Sequence, residues 1–346
     1  MSKLFLIMLL LIHCLLPVSA AEFTAPPVPI SGEDLMPPET DNFAEGLWDM
    51  FRNALAGIRP DLKEASGICL QIIACAMLVS IIRQIPGSSE KVADVSAVVA
   101  ISVILLRSSN SLIHLGSQTI RDLSEYGKLL LPVMTSVMAA QGGVTVSAAL
   151  YSGSAMFNAF LCSLISKLLI PMTYLFLAVC VANSAIGEEI LRQIGKFIKW
   201  VSVWCLKIIL YLFTGYIAIT GIISGTADAA TLKAAKLTIS GMVPVVGGIL
   251  AEASESFLIS AGLIKNAAGI YGIFAVLAVF IGPFIMIGCH YLMLKVTGAL
   301  CAVFSSKRIS ELIEDFSAAM GLMLAMTGSV CMLLLISTVC FLKGVG

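Results

Sequence analysis

From residue 67 to the end, apolar runs of bilayer length dominate the chain, and polar positions interrupt them at intervals. The first two runs, 67–85 and 92–106, are joined by a tight turn holding Arg83, Pro86, Gly87 and Lys91. A helix crossing the ~30 Å hydrocarbon core needs roughly 20 apolar residues, so both runs read as membrane spans. Residues 107–128 change character. There Leu112, Leu115, Ile120 and Leu123 stand against Arg107, Arg121, Asp122 and Glu125, which predicts an amphipathic helix at the membrane surface. Six further apolar elements follow, at 129–150, 155–182, 200–223, 241–264, 268–294 and 317–342.

Beyond residue 86 the chain has four prolines, Pro132, Pro171, Pro244 and Pro283, and the second pair repeats the first at an offset of 112. At nearly the same offset Thr327-Gly328 matches Thr214-Gly215, and Thr231-Leu232-Lys233 falls opposite Thr119-Ile120-Arg121. This spacing predicts two repeats, 115–226 and 227–342, each with three apolar elements. Gly142-Gly143 and Gly247-Gly248 interrupt the first element of each, and Pro171 and Pro283 kink the second. If the first element crosses the membrane, the two halves are inverted; if it is re-entrant, they are parallel. Glycine pairs and carboxylates suit non-helical backbone lining a cavity, which favours re-entrant or broken first elements. Lys and Arg counts on the two sides are nearly equal under either topology and do not decide.

The N-terminus differs. Lys3, the apolar core Leu4–Leu16 and Val18-Ser19-Ala20 read as a signal peptide over 1–20. An acidic leader occupies 21–65, and residues 22–66 hold nine acids against three bases. Pro26, Pro27, Pro29, Pro37 and Pro38 keep its first part extended. An amphipathic helix then carries Phe43, Leu47, Trp48, Phe51, Leu55 and Ile58 on one face and closes at Pro60. With the signal removed, this leader lies outside the cytoplasm, on the membrane or against a partner. A hydrophobic content of 59% and only 12% charged residues exclude a soluble domain. The expected fold is an all-α polytopic membrane protein with six to eight transmembrane or re-entrant helices, its membrane domain covering 66–346.

Enzymatic chemistry finds little support. His114 and His290 lack metal-ligand spacing, and there is no phosphate-binding GxxxxGK[ST] loop or nucleophile-elbow serine. No catalytic, cofactor or metal site is therefore assigned. The cysteines lie in apolar runs without CxxC pairs and read as packing residues. Lys167 and Lys207 sit where a lysine can extend to the interface. Arg192, Lys196 and Lys199 precede Trp200 and Trp204 at what reads as a span boundary. The sharpest candidate is 241–269, where Glu252, Glu255 and Lys265 interrupt membrane-grade sequence just after Gly247 and Gly248. Ionisable groups at bilayer depth face a bundle interior, a wet cavity or a partner, which makes these residues candidates to line or gate a conduit. A surface helix with its carboxylates in water is the other reading, and nearby Ser254, Ser256 and Ser260 suit it.

The signal sequence, the acidic leader, LLLPVM at 129–134, GMVPVVGG at 241–248, AEASESFLISAGLIKNAAG at 251–269 and the final apolar span together resemble the stage III sporulation protein AE family over about 40–346. That resemblance implies an endospore-forming bacterium and a multi-pass protein of the mother-cell membrane around the forespore. It implies partnership with other stage III A proteins, ATPase-like and ring-forming, and with the stage II Q protein across the intermembrane space, in a channel or secretion-like complex that sustains forespore development. Neither a nucleic-acid partner nor a cofactor is implied; the bilayer is the expected environment. The alternative function is a stand-alone secondary transporter of a small solute or ion. A third is a structural anchor that moves nothing.

Overall fold

The computed structural model describes residues 26–37, 43–83, 90–141, 143–242 and 247–343, with 221–266 described by their backbone alone. Among these residues the chain is helical throughout: α1 Ile30–Glu33, α2 Phe43–Gly57, α3 Arg59–Ile82, α4 Glu90–Ala140, α5 Val144–Leu164, α6 Ile170–Ile186, α7 Glu189–Met242, α8 Gly247–Phe304 and α9 Lys307–Lys343. A π-helical turn, Ile165–Leu169, runs α5 into α6. Six helical stretches are long and apolar enough to cross a membrane: Leu62–Ile82, Val92–Ala140, Val144–Ile186, Glu189–Thr220, Ala267–Phe304 and Lys307–Leu342. The signal segment 1–20 lies outside the described residues.

The helices are longer than the apolar runs suggested. Residues 107–128 do not form a separate surface helix; they are the middle of α4, which at ~1.5 Å per residue is about 77 Å long. Amphipathic spacing reveals that one face is buried but not by what. Here the apolar face, with Ile113, Ile120, Leu123 and Tyr126 each no more than 1% exposed, packs on protein rather than headgroups. The tract 129–150 is likewise divided, its first part ending α4 and its last part opening α5 beyond the turn at 141–143. The tract 241–264 is divided between α7 and α8. The first tract is thus the tip of a hairpin between two long helices, and Gly247-Gly248 lies in the first described turn of α8.

The prolines fare differently from one another. Pro132 and Pro283 lie inside continuous helices, and Pro171 occupies the first turn of α6, where its missing N–H matters least. The π-helical turn immediately precedes Pro171, in the middle of the continuous helical stretch Val144–Ile186. Pro244 lies outside the described residues.

α9 is the central staff. Sixty-one per cent of its apolar window is buried, against 22% for α7 at the edge. It packs on α8, α4, α6, α5 and α7, and Phe316, Met320, Met323, Val330 and Leu334 lie fully inside. Small residues allow the close approaches. The ring of Tyr216 lies over the backbone at Gly153, and its hydroxyl donates to the Ala149 carbonyl at 2.9 Å. Leu342 lies against Gly269 in the same way.

The leader is docked rather than loose. Gly32 meets the backbone of Val279, and Gly46 meets the ring of Phe274. Met50 and Ala54 form a small core with Phe274, Ala278 and Ile281 of α8. The face of α2 that touches the bundle is therefore Gly46, Met50 and Ala54, with Ile58 buried just beyond its end, while Trp48, Phe51 and Leu55 of the predicted apolar face point outward. Pro60 does not close α2; it sits in the first turn of α3.

Candidate functional site

Two places gather polar side chains among the described residues. The first is a groove of about 670 Å³ between α3, α4 and α8. Its α3 wall carries Glu64, Ile68 and Gln71, which share a face by their spacing of four and three. The α4 wall carries Arg107, Ser108 and Ser111, and α8 contributes Met286 and His290. His290 is 8% exposed, and its Nδ1 lies 3.0 Å from the Met286 carbonyl oxygen. A carbonyl can only accept, so Nδ1 donates in this contact. The volume lies in the range of small-molecule sites. Its lining joins one acid, one base, an imidazole, an amide and two hydroxyls, which suits a hydrated polar guest. It holds no nucleophile–base pair.

The second place is the end of the bundle where the end of α3 at Arg83 and the turns 187–188 and 305–306 meet. Ser80 donates to the Phe304 carbonyl at 2.8 Å, and Arg83 pairs with Asp94. Arg192 donates to Glu311 at 3.0 Å, with Lys307 3.8 Å from the same carboxylate. The guanidinium of Arg308 lies against Gly187, which ends α6 with φ +85°. A cavity of about 270 Å³ lies beside them, with Arg192, Lys196 and Lys199 facing Glu311, Glu314 and Asp315. At the span boundary read at 192–204, Arg192 is therefore paired with Glu311 of α9, and Lys196 and Lys199 line the cavity beside them.

Among the residues singled out in the sequence, Gly247, Gly248, Glu252, Glu255 and Lys265 fall on the part of α8 described by its backbone alone, all within one continuous helix. Arg107 and His290, each given a bland reading in the sequence, meet at one groove. Glu64 and Gln71 were not singled out at all. Their signal was an i, i+7 polar pair on the first span, too short a pattern to stand out. The nine cysteines of the described residues are unpaired, and Cys69, Cys180, Cys301 and Cys331 are buried.

Six long apolar helices, a docked leader and polar groups enclosed between spans define a polytopic helical membrane protein. The chain belongs to the stage III sporulation protein AE family, which matches residues 37–344. It is 24% identical over 208 residues to the stage III sporulation protein AE of Bacillus subtilis (strain 168), an alignment covering 60% of this chain and 52% of that protein. The chain thus spans about half the length of that relative. No solved structure matches it.

Proposed function

We propose that the protein is a membrane subunit of a sporulation channel or secretion-like complex, set in the mother-cell membrane around the forespore. Its partners would be the other stage III A proteins, ATPase-like and ring-forming, and the stage II Q protein across the intermembrane space. The observation that carries this reading is family membership over nearly the whole chain, on a fold of six bilayer-length apolar helices. No catalytic step is assigned to the chain itself; energy would come from a neighbour.

Basic residues favour the cytoplasmic side. Arg83, Arg192, Lys196, Lys307 and Arg308 lie within ten residues of the gathered end of α3 and turns 187–188 and 305–306, whereas none lies within ten residues of the turn at 141–143. That end would then face the mother-cell cytoplasm. The leader, docked on α8 about 38 Å further along, lies toward the opposite side, as a signal-bearing N-terminus requires.

Within this reading the carboxylates Glu252 and Glu255 line or gate the conduit. Glu252→Gln with Glu255→Gln should block sporulation while the protein accumulates normally in the membrane. Full sporulation by that double variant removes the role of these carboxylates. The stand-alone transporter is separated by reconstitution: the purified chain in liposomes should move no solute without its partners.

A further inference from the structure

The groove between α3, α4 and α8 lies where two apolar spans end. Glu64 stands 19 residues along α3 from Arg83, about 28 Å, and Ser111 stands 17 residues along α4 from Asp94, about 26 Å. Arg83 and Asp94 are paired at the far end of the same two helices. A hydrocarbon core is ~30 Å thick, so with that pair at one boundary the groove sits at the opposite one. The leader is tied beyond it, Ser31 donating to Asp122 at 2.8 Å. This is the level at which phospholipid headgroups lie.

The two walls complement a headgroup of one kind. On α4, Arg107, Ser108 and Ser111 offer a guanidinium and two hydroxyls, donors that suit a phosphodiester. On α3, the Glu64 carboxylate and the Gln71 amide offer acceptors for a primary ammonium. A base on one wall and an acid on the other match a ligand whose own two charges are joined by a short linker. Phosphatidylethanolamine has that form, its phosphate and ammonium separated by an ethylene. Phosphatidylcholine would bring a quaternary nitrogen without N–H groups to Glu64, and phosphatidylglycerol would bring no cation at all.

Toward the Arg83–Asp94 end the groove leads into an apolar furrow. The face of α3 that carries Glu64, Ile68 and Gln71 continues at helical spacing as Cys75, Leu78 and Ile82, and Leu78 and Ile82 are exposed. On α4 the line of Arg107 and Ile104 continues as exposed Ala100, too small to close the furrow. Acyl chains attached to a headgroup in the groove would lie along this surface. A water-soluble solute would gain nothing from it.

We propose that the groove binds a phospholipid with a primary-amine headgroup, its phosphate on Arg107 and its ammonium on Glu64. Seated there, the lipid joins the first two spans to α8. The proposal is independent of the conduit reading, because neither Glu252 nor Glu255 takes part.

Gly67 supplies a variant that blocks the site. It lines the groove, and a Cβ added to it meets nothing within 4 Å, so the side chain of Gly67→Leu enters open space. The full chain, purified in mild detergent, is incubated with equal amounts of phosphatidylethanolamine, phosphatidylcholine and phosphatidylglycerol carrying the same acyl chains. Unbound lipid is removed and the retained lipid is measured by mass spectrometry. Phosphatidylethanolamine should be retained about tenfold over each of the others, the effect of one charge-assisted hydrogen bond. Gly67→Leu should abolish the preference. Glu64→Gln, at an exposed position, should bring phosphatidylethanolamine level with phosphatidylcholine. Equal retention of the three lipids by the unsubstituted chain overturns the proposal, and so does a preference that Glu64→Gln leaves unchanged. Soluble glycerophosphoethanolamine, added in equimolar amount, should not displace the lipid; displacement would mean that the acyl chains contribute nothing and would make the groove a solute site.

Discussion

Gly187 is held by geometry that no other residue type meets cheaply. Its φ of +85° ends α6 in the left-handed region, its N–H reaches the Asn183 carbonyl at 2.7 Å, and the Arg308 guanidinium occupies the space a Cβ would enter. A β-carbon in this region costs on the order of 1–2 kcal/mol. Gly187→Ala should therefore lower the thermal midpoint of the purified protein in detergent, and an unchanged midpoint would mean that this end of α6 relaxes freely. The neighbouring Arg192–Glu311 pair should matter less. Its side chains are 41% and 28% exposed, and such pairs contribute about 0–1 kcal/mol. A double-mutant cycle with Arg192→Gln and Glu311→Gln, read by chemical denaturation, should give a coupling energy within that range. Residue identity foretold the charge here but not the pairing, because Arg192 and Glu311 are 119 positions apart.

Elements are where pattern and packing diverge. The amphipathic spacing of 43–58 correctly announces a helix, yet Trp48, Phe51 and Leu55 face outward while Gly46, Met50 and Ala54 meet the bundle. Close helix contact selects small residues, as Gly46 against Phe274 and Ala54 in the core beside it illustrate. The same logic governs α1, where a Cβ on Gly32 would come within 2.8 Å of the Val279 backbone nitrogen. Backbone cannot yield as a side-chain tip can. Gly32→Leu should thus release the leader from α8 while leaving the spans assembled. Limited proteolysis of membranes should cut the variant within 26–58 much faster than the unsubstituted chain; equal cleavage rates would show that the leader is held elsewhere. Residues 107–128 teach the complementary lesson. Their polar and apolar faces were legible, whereas the identity of the surface beneath was not, since headgroups and a neighbouring helix both reward an apolar stripe.

At the scale of the molecule, the end of α3 and the turns 187–188 and 305–306 lie together, tied by Ser80 to Phe304, Arg192 to Glu311 and Arg308 to Gly187. The proposed orientation makes this end cytoplasmic. Ser306→Cys should then be shielded from an impermeant reagent applied to intact cells and react once the membrane is opened, while Gly143→Cys should react from outside. The opposite result inverts the molecule and, with it, the side on which the leader sits.

Hydropathy alone determined that the chain is a helical, multi-span membrane protein, because the energy of transferring a side chain into lipid belongs to each residue and sums along a segment. It also placed helix breaks near 83–90 and 141–143, since Pro, Gly and charge act on their own neighbourhood. Tertiary structure decided what could not be local: that 107–128 continues the helix begun by the second span, and that Glu64, Arg107 and His290 share one groove. These depend on which residues from distant segments stand at the same height, and height is set only when the helices pack.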